Sequence, residues 1–282
     1  MTPSYVRKTP YKGPLRAAVL DWAGTAVDFG CQGPAAVFVD VFEKHGIRVT
    51  VTEARQFMGL SKRDHVAALC ALPAVVDQWR RRWDRSPAST DIDRIYADLE
   101  PAMIETVVHH ADPIPGVLEA IADFRARGLK IGSCTGYTRA MIEALAPVAL
   151  KKGYAPDAVV CASDVPAGRP APFMCYLNAV ALQVYPMETM VKIGDTVADI
   201  EEGLNAGMWT VGLTRCGNEM GLSPAEIAAL SPEALGRRER EVAARFRAAG
   251  AHYVAEGLGD CPAIIEGINR RLARGEQPLG GR

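Results

Sequence analysis

The apolar run Ala17-Ala-Val-Leu20 stops on a carboxylate, Asp21, and turns at once through Trp22-Ala-Gly-Thr25. A short apolar stretch bounded by turn residues reads as a strand covered on both faces, which places it inside a parallel sheet flanked by helices. We expect this strand over Arg16–Asp21 and four more at Leu129–Thr135, Ala158–Cys161, Met190–Asp195 and Trp209–Leu213, each followed by a helix or turn signal. That alternation predicts an α/β fold, a doubly wound, Rossmann-like parallel sheet. Ligands of such sheets collect beyond the carboxyl ends of the strands, so Asp21 stands where a nucleophile would.

One block breaks the rhythm. Between the first two strands the pattern is helix after helix, over Ala35–His45, Ser61–Ala71, Ala74–Trp83 and Asp91–His109, until Pro113-Ile-Pro-Gly116 punctuates the return. The expected organisation is therefore an α/β core from residues 1–30 and 112–282 and an inserted all-helical cap at 31–111, lying over the active edge of the sheet. A chain of 282 residues is long enough for both. The Arg-rich tail around Arg237 to Arg247 reads as an exposed charged helix.

Composition narrows the function classes. With 32 basic and 33 acidic side chains the net charge is −1, so no basic field argues for nucleic acid. The apolar runs are short, and the opening MTPSYVRKTPYKG has no hydrophobic signal core; the expectation is a soluble cytoplasmic protein with no membrane partner. Seven cysteines are scattered with no CxxC, which points to reduced thiols, with Cys31 near the nucleophile read as a small buried filler.

Three further strand ends carry chemistry. In Ser133-Cys-Thr-Gly-Tyr-Thr138 the Thr135 hydroxyl and the backbone N–H groups after it, including that of Gly136, open a helix and suit a phosphoryl oxygen. Arg169 in Asp164-Val-Pro-Ala-Gly-Arg-Pro170 offers a fork of donors to phosphate. Ile193-Gly-Asp-Thr-Val-Ala-Asp199 ends a strand with two carboxylates four apart: Asp195 can ligate a metal, while Asp199 can ligate it, orient the ligands or merely cap the next helix.

The cap adds Met58-Gly-Leu-Ser-Lys-Arg-Asp-His65. Ser61 is the expected N-cap with Asp64 as its reciprocal partner. That puts Lys62 in the first helical turn, where the positive end of the dipole lowers an amine's pKa and leaves it a better nucleophile toward an aldehyde. His65 follows at i+3 on the same face and could move protons to or from that amine.

The four core motifs match the haloacid dehalogenase superfamily in order and spacing, except that its usual Asp-x-Asp-x-Thr here carries Ala23 in place of the second carboxylate. With the cap motif, Asp28-Phe-Gly-Cys31 and Cys134-Thr-Gly-Tyr-Thr-Arg139 added, residues 15 to 270 closely resemble the phosphonatase family, which hydrolyses phosphonoacetaldehyde. The resemblance implies a small phosphonate substrate, a Schiff base on Lys62, attack of Asp21 on phosphorus and an aspartyl phosphate. It also implies a step in 2-aminoethylphosphonate breakdown and a Mg²⁺-dependent homodimer. Asp21, the carbonyl of Ala23 and Asp195 would hold the metal, with Met58 and Tyr137 enclosing substrate. Ala23 cannot protonate an ester oxygen, which weighs against a phosphomonoesterase or mutase. Retention of Asp21, Lys62, Thr135, Arg169 and Asp195 weighs against a silent phosphate-binding module.

Overall fold

The computed structural model describes residues 9–278; the first eight residues of the expected core and its last four lie outside the described residues. In chain order the elements are β1 (Ala17–Leu20), α1 (Gln32–Lys44), α2 (Val51–Arg55), α3 (Lys62–Cys70), α4 (Pro73–Trp83), α5 (Ser89–Val107) and α6 (Val117–Ala126). There follow β2 (Lys130–Thr135), α7 (Arg139–Lys151), β3 (Ala158–Cys161), α8 (Phe173–Leu182), β4 (Met190–Gly194), α9 (Val197–Asn205) and β5 (Trp209–Leu213). The chain closes with α10 (Pro224–Ala228), α11 (Pro232–Ala248), β6 (Tyr253–Ala255) and α12 (Cys261–Ala273).

The six strands form one sheet in the order β3-β2-β1-β4-β5-β6, and every pairing is parallel. Leu20 pairs with Ser133 on one side and Ile193 on the other, so β1, β2 and β4 end level and deliver Asp21, Thr135 and Asp195 to one edge. The strand order reverses across β1 and β4, which is where an open sheet leaves a crevice. All four β1 residues are buried, as a strand sheathed by helices requires. The α/β class and the five expected strands recur, Ala158–Cys161 and Trp209–Leu213 with the bounds expected and the other three shorter by one or two residues. The sequence reading missed β6, which is only three residues long, and α2, a single turn closed by a Thr50/Glu53 capping box.

Helices α1 to α5 are the block inserted between β1 and β2. Within it α1 and α3 both pack on α5, and α5 in turn lies against α7 of the sheet layer. Apolar residues of the block, such as Phe38, Leu69 and Met103, join those under the sheet, such as Ile131 and Val191, in one continuous core. The Arg-rich tail helix is α11; it exposes most of its arginines but buries Val242 and Phe246 against Ile200 of α9, so it has an inner face as well as the expected solvated one.

Candidate active site

Beyond the carboxyl ends of the strands, the loops after β1, β2 and β4 and the turn before α3 enclose a cavity of about 20 Å³, lined by Asp21, Ala23, Cys31, Met58, Lys62, Thr135, Gly136, Tyr137, Arg169 and Asp195 among others. Nearly all the sequence-predicted residues therefore meet in one place. His65 and Asp199 do not line it; each packs behind a residue that does.

The floor is an ion network. Asp21 receives Arg169 in fork geometry, with Nη1 to Oδ2 at 3.1 Å and Nη2 to Oδ1 at 3.1 Å. The remaining donors of Arg169 are also engaged: Nε donates to Glu202 at 2.9 Å, and Nη2 lies 3.0 Å from Asp199 and 2.9 Å from the Cys134 carbonyl. Lys192, in the middle of β4, sits 2.5 Å from Asp199 and 3.8 Å from Glu202. Burial alone would discharge these groups; for Lys192 burial is the largest single effect, but its negative neighbours, Asp199 first, together outweigh it and hold the amine above its ordinary value. Thr196 caps α9 by accepting the Asp199 N–H while Asp199 reaches back to the Thr196 N–H, so Asp199 does cap that helix besides serving the network.

Asp195 lacks such support. Its oxygens accept only neutral donors, the Thr25 hydroxyl at 2.7 Å and the Asn218 N–H at 2.8 Å. Burial, and then the charges of Asp21 and Asp199, push its carboxyl well above the usual range. Burial likewise raises Asp21 despite Arg169. Asp21, Asp195 and Asp199 offer oxygens within 4.8 Å of one another. An all-oxygen donor set with one uncompensated buried carboxylate suits a hard divalent cation such as Mg²⁺.

The roof is apolar with one amine in it. Ser61 caps α3 as expected, accepting the Asp64 N–H and donating to the Asp64 carboxylate at 2.6 Å. Lys62 follows, 4 % exposed, with Nζ 4.9 Å from the Tyr137 ring centroid and 5.7 Å from that of Phe38. Its pKa is lowered to about 8, first by burial, against a weaker upward pull from Cys31 and Asp21. The direction matches the sequence expectation; the principal cause is desolvation rather than the helix dipole invoked there. His65 is buried behind, stacked 3.7 Å from Phe38, with Nε2 2.7 Å from the Ala54 carbonyl and Nδ1 without a hydrogen-bond partner. Burial holds it far below the ordinary histidine range, so it is a neutral imidazole.

Roof and floor meet at two glycines. A side chain at Gly59, where φ is +91°, would stand 2.6 Å from the Thr196 hydroxyl, and one at Gly136 would stand 2.3 Å from the Leu60 carbonyl. Thr135 accepts the Tyr137 N–H at 3.1 Å, which shapes the turn beneath this seam. Sequence reasoning missed Lys192, Glu202, Thr25 and Asn218. The one signal available was Lys192 itself, a lone charge inside Met190-Val-Lys-Ile-Gly194. All seven cysteines are free and buried, and among the described residues no helix is long and apolar enough to cross a membrane.

The family model of haloacid dehalogenase-like hydrolases matches residues 15–207, which makes the protein a hydrolase of that class. A "phosphonoacetaldehyde hydrolase-like protein" of Syntrophobacter fumaroxidans is 55 % identical over 97 % of this chain and 99 % of its own length. The phosphonoacetaldehyde hydrolase of Nitratidesulfovibrio vulgaris is 54 % identical over 97 % and 98 %. The crystal structure of a phosphonoacetaldehyde hydrolase-like protein from Oleispira antarctica superposes with a TM-score of 0.94 at 37 % identity, covering 98 % of this chain and all of that one. The chain belongs to the phosphonoacetaldehyde hydrolase family.

Proposed function

We propose that the protein hydrolyses the carbon–phosphorus bond of phosphonoacetaldehyde to acetaldehyde and phosphate, within 2-aminoethylphosphonate breakdown. The observation that carries this reading is the placement of a buried amine, Lys62, across one small cavity from a carboxylate held by an arginine fork. A carbanion is a very poor leaving group, and a protonated imine gives its electrons somewhere to go.

Neutral Lys62 attacks the aldehyde and releases water, giving the imine. Asp21 then attacks phosphorus as the C–P bond breaks, its electrons passing into the imine to leave an enamine on Lys62. Arg169, the Thr135 hydroxyl and the backbone N–H groups near Gly136 hold the phosphoryl oxygens as charge shifts. Water hydrolyses the aspartyl phosphate; the enamine gains a proton on carbon and a second water frees acetaldehyde and the amine. Overall one water is consumed. Met58 and Tyr137 close over the substrate, and His65 supports proton movement around Lys62. Asp21, the Ala23 carbonyl and Asp195, with Asp199 behind them, would hold Mg²⁺, which would supply positive charge against the phosphonate and the nucleophile.

In this reading residues 31–111 are a cap and the rest of the chain is the core, the protein acts in the cytoplasm, and two copies pair. Pairing is supported by an exposed apolar stripe on α8, Phe173, Tyr176, Leu177 and Val180, continued by Tyr185, with Val180 at 74 % and Tyr185 at 64 % exposure. The deciding experiment adds borohydride to enzyme and phosphonoacetaldehyde. A reduced two-carbon adduct is expected on Lys62 alone, together with acetaldehyde release in untreated samples; turnover with no adduct would remove the imine from the mechanism.

A further inference from the structure

A cavity of about 20 Å³ holds roughly one water molecule, far less than a phosphonate. The structure is thus the closed form, and the helical block has to lift and return for substrate to enter. Something must hold it shut. Among the described residues, the ends of the block are tied to the core by His110 Nδ1, 3.2 Å from Asp28 Oδ1 in the turn after α5, and by Gln32 at the start of α1, which donates to the Gly221 carbonyl at 3.4 Å. Away from those chain crossings, hydrogen bonds from α2–α5 and the loops between them to the sheet layer arise at two places. One is Arg169 Nη1 donating to the Gly59 carbonyl at 3.3 Å, made by a residue already occupied with Asp21. The other is Arg55, the last residue of α2.

Arg55 Nη1 donates to the Gly30 carbonyl at 2.8 Å, in the strand of chain that leads into the block, and to Asn218 Oδ1 at 3.2 Å. Asn218 answers by donating Nδ2 to the Arg55 carbonyl at 3.0 Å. This reciprocal clasp spans the seam and buries Asn218 to 5 % exposure. Its two ends lead to the two halves of the site. The Asn218 N–H donates to Asp195 Oδ2 at 2.8 Å, and the Arg55 carbonyl also accepts the Met58 N–H at 3.3 Å, at the start of the turn that carries Lys62.

We infer that Arg55 and Asn218 are positioning residues, a latch that holds the helical block closed and seats Lys62 and Asp195 in the same act. Neither touches the reacting atoms. The latch takes its catalytic meaning from the proposed imine chemistry, but its mechanical claim is testable without substrate.

The test exposes full-length protein, free of substrate, to reductive methylation and follows each lysine by mass spectrometry. Lys62 should be methylated slowly in the wild type because it is closed in. Removing one charge-assisted pair in Arg55→Ala is expected to raise the open fraction, and so the Lys62 rate, by roughly tenfold. Asn218→Ala should do the same. The double variant should exceed either single one, because each single variant keeps one bond of the clasp, to the Gly30 or the Arg55 carbonyl, but should fall short of the product of the two effects, because both lose the shared Arg55–Asn218 bond. Arg55→Lys should restore part of the protection. Lys192, sealed in the core, must stay unmethylated throughout, which separates opening from unfolding; should Asn218→Ala fail that control, Arg55→Ala and Arg55→Lys decide alone. A Lys62 rate within about threefold of wild type in Arg55→Ala, or effects that multiply in the double variant, overturns the latch. Failure of the imine reading would appear elsewhere, as wild-type protein that yields neither acetaldehyde nor a borohydride adduct.

Discussion

Among the described residues two lysines are buried, one above the cavity and one beneath it, and burial has opposite outcomes for them. Lys192 in the floor meets Asp199 at 2.5 Å and Glu202 at 3.8 Å, and stays charged. Lys62 in the roof has aromatic faces and no carboxylate within ion-pair distance, so desolvation prevails and its pKa falls to about 8. Removal from water always disfavours charge; whether charge survives depends on a partner within a few ångströms. The floor therefore keeps fixed charges, which in the proposed reaction grip the phosphonate. The roof keeps an amine that can give up its proton and act as a nucleophile.

The largest effects should come from removing either reacting group. Asp21→Asn and Lys62→Arg are each expected to lower acetaldehyde release by about a thousandfold or more, with the fold intact by circular dichroism; activity above a few per cent in either would break the division of labour between floor and roof. Next comes the floor's structural cation. Lys192→Met leaves Asp199 and Glu202 competing for Arg169 and should cost about 3–5 kcal/mol in denaturant unfolding. A loss under 1 kcal/mol would mean that Arg169 alone neutralises the network.

The pH profile sharpens the contrast. In the proposed imine route only the neutral amine attacks, so kcat/KM should climb about tenfold per pH unit below 8 and level off above it, as Lys62 loses its proton. An acid limb near 10 would place Lys62 in water. The smallest effect is on stability. An amine with a folded pKa near 8 and an unfolded value near 10.5 penalises folding below pH 8, and the penalty fades as pH rises between those values. Lys62→Met should accordingly raise the melting temperature by a few degrees at pH 7 and by little at pH 10, the reverse of Lys192→Met.

Where strands end was legible because apolar runs stop sharply at Asp21, Thr135 and Asp195, and strand ends are where open sheets place ligands. The start of α3 was legible because capping is local: Ser61 and Asp64 are three residues apart and need nothing else. What stayed hidden depends on distance in the chain. Glu202 looks like any acidic residue of an exposed helix until α9 packs on β4 and turns it toward Arg169, 33 positions away. Asn218 acquires meaning only when Arg55 arrives from 163 positions upstream. The cause of the lowered Lys62 pKa was misassigned for the same reason, since Phe38 and Tyr137, which help wall it off from water, come from separate elements. β6 was too short to stand out from its surroundings.

The glycine seam limits how such an enzyme can diversify. Gly136 faces the main chain of Gly59 and Leu60, where there is no side chain to shorten, and Gly59, at positive φ, is pressed against the Thr196 side chain, so an added carbon collides at both positions. Gradual change in the fit of lid to base is closed off at those positions. Room for a longer or bulkier substrate has to come from the replaceable groups around the cavity, Cys31, Pro34 and Met58, rather than from the seam.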